Sequence, residues 1–392
     1  MQKKIIALAV AGLMSGAAFA QSNVTIYGNI DQSIEMGSYG NGSKTMLTGS
    51  GYATQRLGFQ GEEALGGGLK AVWRLEAGIN ADKGTAGAVG LNNVGTAAGT
   101  NNGWVQLFDR EAFLGLSSTW GTFKVGRQYS PSFNAAATMD VFGVAGVGSN
   151  YVLAATTTRV NNSLRYESPN MSGFSAAVLF GLGDNGLGTF GSAGTATAQN
   201  NESAGGQDAV AINKQAGQHQ GLNLAYANGP FSAIYGYGVN NSVTLVGTSV
   251  VKTKSNVITG AYNFGPGSIR LGWASYKDDA AVTALDRRTW MIGGTFNVGA
   301  GSIRAQYGSL DNKLVANNDV RHWALGYVHP MSKRTTAYVT YAKTDNKEGS
   351  VAGAGAGMAF TGGGSAIVGN GANAADTRFD PSSFQFGMNH SF

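Results

Sequence analysis

Four histidines, His219, His322, His329 and His390, are the natural candidates for metal binding or general-base work. None has an acid or a second histidine at HExxH or related ligand spacing. The chain has no cysteine, so neither thiolate chemistry nor disulfides can contribute. Gly181-Leu182-Gly183-Asp184-Asn185-Gly186 has GxGxxG spacing, but Gly, Ser, Ala and Thr follow where a dinucleotide site needs a helix. GxSxG, P-loop and DxDxDG-type calcium motifs do not occur. Asp278, Asp279, Asp311 and Asp319 could collect divalent ions, yet solvated surface is the simpler reading. No catalytic residue, metal or cofactor is expected. What remains is fixed charge. Arg56, Arg74, Arg110 and Arg165 each sit in segments where polar and apolar residues alternate. Guanidinium groups held in such segments can attract anions without reacting with them.

The alternation defines the elements that carry these arginines. Val24, Ile26, Ile30, Ile34 and Met36 share one face of an extended segment; Tyr27, Asn29, Asp31, Ser33 and Glu35 share the other. Leu57 and Phe59 oppose Arg56, Gln60 and Glu62, and Trp73 and Leu75 oppose Arg74 and Glu76. Near the end, Phe384, Phe386, Met388 and Phe392 oppose Gln385, Asn389 and Ser391. A period of two means strands with one apolar and one polar face. By the same parity Arg110 opposes Phe113, and Arg165 lies between Leu164 and Tyr166. A soluble sandwich would show this alternation too, with the polar face in solvent.

Connection lengths separate the two architectures. Short turns at 64–68, 119–121, 169–173, 228–230, 265–267, 298–301 and 330–333 alternate with long polar stretches. The long ones cover 37–51, 80–103, 131–160, 183–218, 240–254, 277–286, 310–319 and 346–382. Seven turns and eight loops join sixteen strands. Systematic short/long alternation suits an up-and-down barrel with two different ends, and a Greek-key sandwich has no reason for it. Glycine, 61 of 392 residues, follows no triplet period, which excludes collagen. Beyond the N-terminus no run of eighteen apolar residues exists, which excludes helical membrane spans. In lipid every backbone polar group must be paired, so a spanning sheet has to close on itself. Trp104, Phe108, Phe113, Trp120, Phe123, Tyr129, Trp273, Tyr276, Trp290, Trp323 and Tyr327 lie near strand ends, as interfacial girdles would. The expected fold is all-β: a transmembrane 16-stranded antiparallel up-and-down β-barrel.

The first twenty residues stand apart. Lys3 and Lys4 precede an apolar run from Ile5 to Leu13, and Ala18-Phe19-Ala20 supplies a small-x-small cleavage pattern. Residues 1–20 are therefore expected to be a secretory signal peptide, and 21–392 the barrel. Losing two lysines lowers the formal charge from +5 to +3, too little to suggest a nucleic-acid partner.

Several ordered motifs carry a resemblance. They are Arg56-Leu57-Gly58-Phe59-Gln60-Gly61-Glu62, Asp109-Arg110-Glu111-Ala112-Phe113-Leu114-Gly115-Leu116 and Gly121-Thr122-Phe123-Lys124-Val125-Gly126-Arg127-Gln128. Asn162-Ser163-Leu164-Arg165-Tyr166-Glu167-Ser168-Pro169, Ser332-Lys333-Arg334-Thr335 and the terminal Phe392 follow. Along the whole mature chain this set resembles the general bacterial porins of the neisserial and β-proteobacterial branch. The resemblance implies an outer-membrane homotrimer of barrels, each narrowed by an inward-folded third loop, passing small hydrophilic solutes and ions. It implies that Arg56, Arg110 and Arg165 form a basic ladder at the pore constriction. Arg74 adds to that side, and Asn29 stands where enterobacterial porins carry a lysine. The third loop, 130–160, offers one carboxylate, Asp140, as the acidic side of that constriction. The arginines could instead pair with Asp31, Glu62, Glu76 or Glu167 along the pore wall. Arg127 faces outward by parity, and the resemblance implies a contact with a neighbouring subunit. Phe392 resembles the C-terminal signal read by the outer-membrane assembly machinery. Mild anion preference is the expected consequence. A substrate-specific channel for phosphate or an organic acid would share these motifs. An outer-membrane esterase or phospholipase would need a nucleophile beside a histidine, which the spacing does not offer.

Overall fold

In the computed structural model, the residues described are 23–38, 42–86, 88–90, 104–154, 156–183, 217–243, 250–279, 286–313, 319–347, 357–361, 364–368 and 380–392. The expected signal segment, the last three residues of the GxGxxG run and the side chain of Trp104 lie outside them.

Sixteen antiparallel strands form one closed sheet. β1 is Asn23–Ser38, and β2 comes in two pieces, Ser43–Gly49 and Arg56–Gly66. β3 (Leu69–Asn80), β4 (Glu111–Ser118) and β5 (Gly121–Tyr129) follow. A connector containing helix α1 (Pro131–Met139) leads to β6 (Arg159–Glu167) and β7 (Phe174–Leu182). β8 (Gln218–Asn228), β9 (Phe231–Val243), β10 (Val250–Asn263) and β11 (Gly267–Asp278) continue the wall. β12 (Asp286–Val298), β13 (Gly301–Asn312), β14 (Val320–Pro330), β15 (Thr335–Asn346) and β16 (Ser382–Ser391) complete it. β16 pairs with β1 from Asn29↔Ser391 to Ser38↔Ser382, which closes the barrel. Phe392 and Gly28 then exchange backbone hydrogen bonds of 3.1 and 3.2 Å, and the Phe392 ring fills the place where a Gly28 side chain would stand.

Burial is inverted relative to a soluble protein. Ile26, Ile30, Ile34 and Met36 are exposed, while Asp31, Ser33 and Glu35 on the opposite face of β1 are buried. Apolar side chains outward and polar side chains inward are what a lipid solvent selects. These inner polar groups bond to neighbouring strands and to residues 51–53: Asp31 accepts from Tyr52 N and Ala53 N, Ser33 meets Thr48, and Ser383 donates to Glu35.

The aromatic girdles are real but were drawn too widely. Trp120, Phe123, Trp273, Trp290 and Trp323 are exposed on the outer face. Phe113, Tyr129 and Tyr276 point inward instead: Phe113 lies under Arg74 and Lys124, and Tyr129 stacks on Phe133 of α1. Tyr276 bonds with Thr253 on the inner face of β10. The first long connector is also shorter than expected. β2 starts at Ser43, and the irregular residues 50–55 interrupt the strand itself.

Candidate functional site

The connector between β5 and β6 supplies one side of the site. Ser130 caps α1 by accepting from Phe133 N at 3.0 Å, and Pro131 occupies the first turn, where its missing N–H costs nothing. Pro131, Ser132, Ala135, Ala136 and Met139 are buried. They lie on strand positions that lack side chains. A β-carbon on Gly221 would come within 2.6 Å of the Pro131 ring, and one on Gly236 within 2.7 Å of Ala135 Cβ. The same lane continues through Gly272 under Met139, Gly293 under Val141, Gly308 under Asn150 and Gly326 under Phe142. Glycine on the inner faces of β8, β9 and β11–β14 thus clears room for the inserted connector. Polar strand residues then pin its backbone. Thr259 donates to Ala135 O at 3.2 Å and Thr289 to Leu153 O at 2.6 Å. Gln306 accepts from Val141 N and donates to Gly148 O, and Gln385 accepts from Val147 N.

Asp140 ends α1. Its carboxylate accepts from Phe142 N at 2.8 Å, Val144 N at 3.2 Å and the Ser149 hydroxyl, and it is 1% exposed. It ties the connector into a turn and shows no charge to the lumen. The expected acidic side of the constriction is therefore not where the sequence suggested, because the carboxylate is consumed by its own loop. Burial pushes the Asp140 carboxyl above its usual range, against the pull of those donors.

The opposite side is basic. Arg110 bonds Glu76 at 2.6 Å and the Tyr129 hydroxyl at 2.6 Å, while Arg56 lies 3.8 Å from the same Glu76. Arg159 also reaches the Tyr129 hydroxyl at 3.0 Å, with its guanidinium 4.7 Å from the ring centroid. Below them, Arg165 pairs with Glu167 at 2.8 Å and donates to Tyr129 O, and Lys124 shares Glu167. Arg74 pairs with Glu111 at 2.7 Å and Gln60. Across the lumen Arg270 donates to the carbonyls of Thr138 and Asp140, and Arg304 to that of Val141. Among the described residues no ion pair involves Arg159, Arg270 or Arg304.

The alternation rule misassigned one step of this arrangement. Phe113 faces inward with Glu111 and Gly115, so Arg110 is not inward by opposing it. Arg110 precedes β4, where its N–H bonds Glu76 O, and the chain bend turns its side chain inside. Arg165 and Arg74 follow the pleat as expected.

A third wall comes from the break in β2. Gln32 pairs with Gly49 and Asn29 with Arg56, so 50–55 bulges out of the sheet opposite Ile30 and Asp31. Asp31 holds the bulge: it accepts from the N–H groups of Gly51, Tyr52 and Ala53 at 3.2, 2.9 and 2.8 Å. Asn29 Nδ2 reaches Ala53 O at 3.4 Å. Tyr52 stacks on Tyr338, lies 4.9 Å beneath Arg304, and its neighbour Thr54 touches Val144 O. Arg56, Arg110, Tyr129 and Arg159, the bulge and the Phe133–Val144 side of the connector line an open cavity of about 550 Å³. Glu62 stays outside this eyelet, in an exposed pair with Lys70. Arg127 donates to Asp109 O and Asn161 Oδ1.

The model of the family described as Gram-negative porin matches residues 7–349. The chain belongs to the Gram-negative porin family. Outer membrane porin protein 32 of Delftia acidovorans is 32% identical over 380 residues, which cover 93% of this porin and 95% of the relative. A Bordetella pertussis outer membrane porin protein is 26% identical over 88% of this chain and 94% of its own. The solved anion-selective porin from Comamonas acidovorans matches with a TM-score of 0.70 and 27% identity, covering 95% of this chain and all of that one. This porin is thus an outer-membrane β-barrel channel.

Arg159, Arg270 and Arg304 were not singled out from sequence; Lys124 and Glu111 stood in the motifs without a pore role, and Tyr129 was expected in the girdle. Arg270 lies between Ile269 and Leu271, and Arg304 between Ile303 and Ala305, so parity alone could have turned both inward. Arg159 and Tyr129 gave no such signal, because both stand at strand ends where the chain leaves the pleat.

Proposed function

We propose that this porin passes small hydrophilic solutes by diffusion and favours anions at the eyelet. The observation that carries this is one-sidedness: Arg56, Arg110 and Arg159 line the cavity on one side, and Phe133, Asn134, Ala137, Gly143 and Val144 on the other. Glu76 and Asp109 offset part of that charge, but Asp109 is tied to Gly78 N and Glu76 is buried beneath two guanidiniums. At an effective dielectric of 20, unit charges about 4 Å apart interact by ~4 kcal/mol, against ~1 kcal/mol in bulk water. Attraction in that range biases passage without trapping the ion. The relatives named for anion selectivity or porin activity support the same reading. Residues 1–20 act as the export signal, Phe392 as the assembly signal, and the barrel works as a homotrimer in which Arg127 lies toward a neighbour.

Proteoliposome swelling with a small organic anion and a cation of matched size tests this. The anion should enter faster. Equal rates, or a faster cation, would overturn the anion preference, and saturation with one solute would instead indicate a substrate-specific channel.

A further inference from the structure

Two further guanidiniums stand on the wall across the lumen, and no acid accompanies them. Arg270 on β11 and Arg304 on β13 are both half-buried and face inward. Strand register fixes their neighbours. One row across the wall runs Ala261, Arg270, Gly293, Gln306, and the next runs Ser268, Thr295, Arg304, Gly326. None of these neighbours carries a negative charge. The connector brings Asp140 close by, but its carboxylate is turned into its own loop, where Phe142 N, Val144 N and the Ser149 hydroxyl hold it.

What the two arginines touch is neutral. Arg270 Nη1 donates to Thr138 O at 3.2 Å and to Asp140 O at 3.3 Å. Arg304 Nη1 donates to Val141 O at 3.3 Å, and its Nη2 to the Tyr52 hydroxyl at 3.4 Å. Asp140 O and Val141 O belong to consecutive residues, so both cations converge on one point of the connector. The C-terminal carbonyls of α1 attract one positive charge there. A second beside it is repelled by the first unless an anion joins them. Arginine offers five N–H donors in a fork that fits two oxygens of one anion, and among the described residues Arg270 commits a single nitrogen. One step nearer the short turns, the half-buried Ser268 and Thr295 hydroxyls lie 3.0 Å apart and add further donors. Short turns mark the periplasmic end of a barrel of this type, so the patch lies on the periplasmic side of the connector.

We propose that Arg270 and Arg304, with the Ser268–Thr295 hydroxyl pair, form a binding site for a divalent oxyanion on the periplasmic side of the connector. The site does not depend on which ion the eyelet favours: a cation-selective zero-current potential would count against that reading alone. The test uses purified trimer in a planar bilayer carrying chloride current, with potassium sulfate added to one side and then to the other. Sulfate should block the current, at lower concentration from the periplasmic side, and methanesulfonate, a monovalent analogue, should block far less. In Arg270→Gln/Arg304→Gln the half-blocking sulfate concentration should rise at least ~10-fold, as loss of charge-assisted bonds to one anion requires. Sulfate should also lose its advantage over methanesulfonate there, which a merely loosened connector would not cause. A control that removes two exposed outward charges, Arg321→Gln/Lys343→Gln, should keep the wild-type value. Absence of block in wild type, equal block by methanesulfonate, or an unchanged value in the double variant would each overturn the proposal. An equal rise in the control would do so too, by assigning the effect to net charge. Should the double variant not fold, Arg270→Gln and Arg304→Gln are measured singly. Each should raise the value, and two unchanged values would overturn the proposal.

Discussion

The Tyr338 hydroxyl donates a 2.6 Å hydrogen bond to the Asp31 carboxylate, from β15 across β16 to β1. The same carboxylate gathers three successive N–H groups of the 50–55 bulge. Asp31 is thus a positioning residue: it holds a segment of β2 inside the barrel and, through Tyr52, braces Arg304. In Asp31→Ala the bulge loses its anchor and Tyr338 a partner. Four charge-assisted bonds, three from N–H groups and one from the Tyr338 hydroxyl, are at stake, each worth about 1.5–3 kcal/mol. The expected result is a wider eyelet, read as higher single-channel conductance with a lower melting temperature. A stable variant with unchanged conductance would show that the bulge does not bound the passage.

Gly236→Val tests the glycine lane. A side chain there meets Ala135 Cβ, Ser132 Cα and Pro131 O, all parts of the helix that cannot swing aside. Overpacking of this kind costs ~1–3 kcal/mol. Because Phe133, Asn134 and Ala137 on the far side of α1 line the eyelet, displacing the helix from the wall moves it toward the arginines. Conductance should therefore fall. A rise would mean that the connector leaves the lumen.

Asp140 gives a pH dependence with a definite sign. Its carboxyl is held above the ordinary value of 3.8, so the folded connector binds a proton more readily than the unfolded chain. Stability from this group is then full below the unfolded value and is lost as pH rises through the raised folded value. The melting temperature of wild type minus that of Asp140→Asn should fall over that window. A difference that grows with pH would reverse the assignment.

Screening offers a check that needs no variant. The Debye length shrinks from about 10 Å at 0.1 M salt to 3 Å at 1 M. Anion preference from the arginine side should weaken over that range, as shown by reversal potentials at a fixed salt ratio. Constant selectivity would point to size and not charge.

How much of this was legible in the sequence follows from where each residue stands relative to the pleat. Mid-strand positions read correctly: Ile30 and Ile34 outward, Asp31, Arg74 and Arg165 inward. Strand ends do not follow the pleat. Arg110 turns inside as expected, but through a bend and not by opposing Phe113, which was placed on the wrong face; Tyr129 and Arg159 also turn inside where the period of two does not apply. The role of Asp140 was illegible because a lone acid in a loop can face solvent or bind its own backbone, and only the geometry of Phe142, Val144 and Ser149 decides. The β2 bulge was hidden because Gly51-Tyr52-Ala53 reads as connector, and it became a wall only through Asp31. The glycine excess also serves the strands, where Gly221, Gly236 and Gly272 form the floor on which α1 lies.

Arg56, Arg110 and Arg159 are expected to set the ion preference at the eyelet. The most direct test is the zero-current potential across a tenfold potassium chloride gradient in a planar bilayer, for wild type and for Arg56→Gln/Arg110→Gln/Arg159→Gln. Wild type should give the sign of chloride preference, and the variant, with Glu76 and Asp109 uncovered, should move through zero toward cation preference. An unchanged potential in the variant would contradict the account.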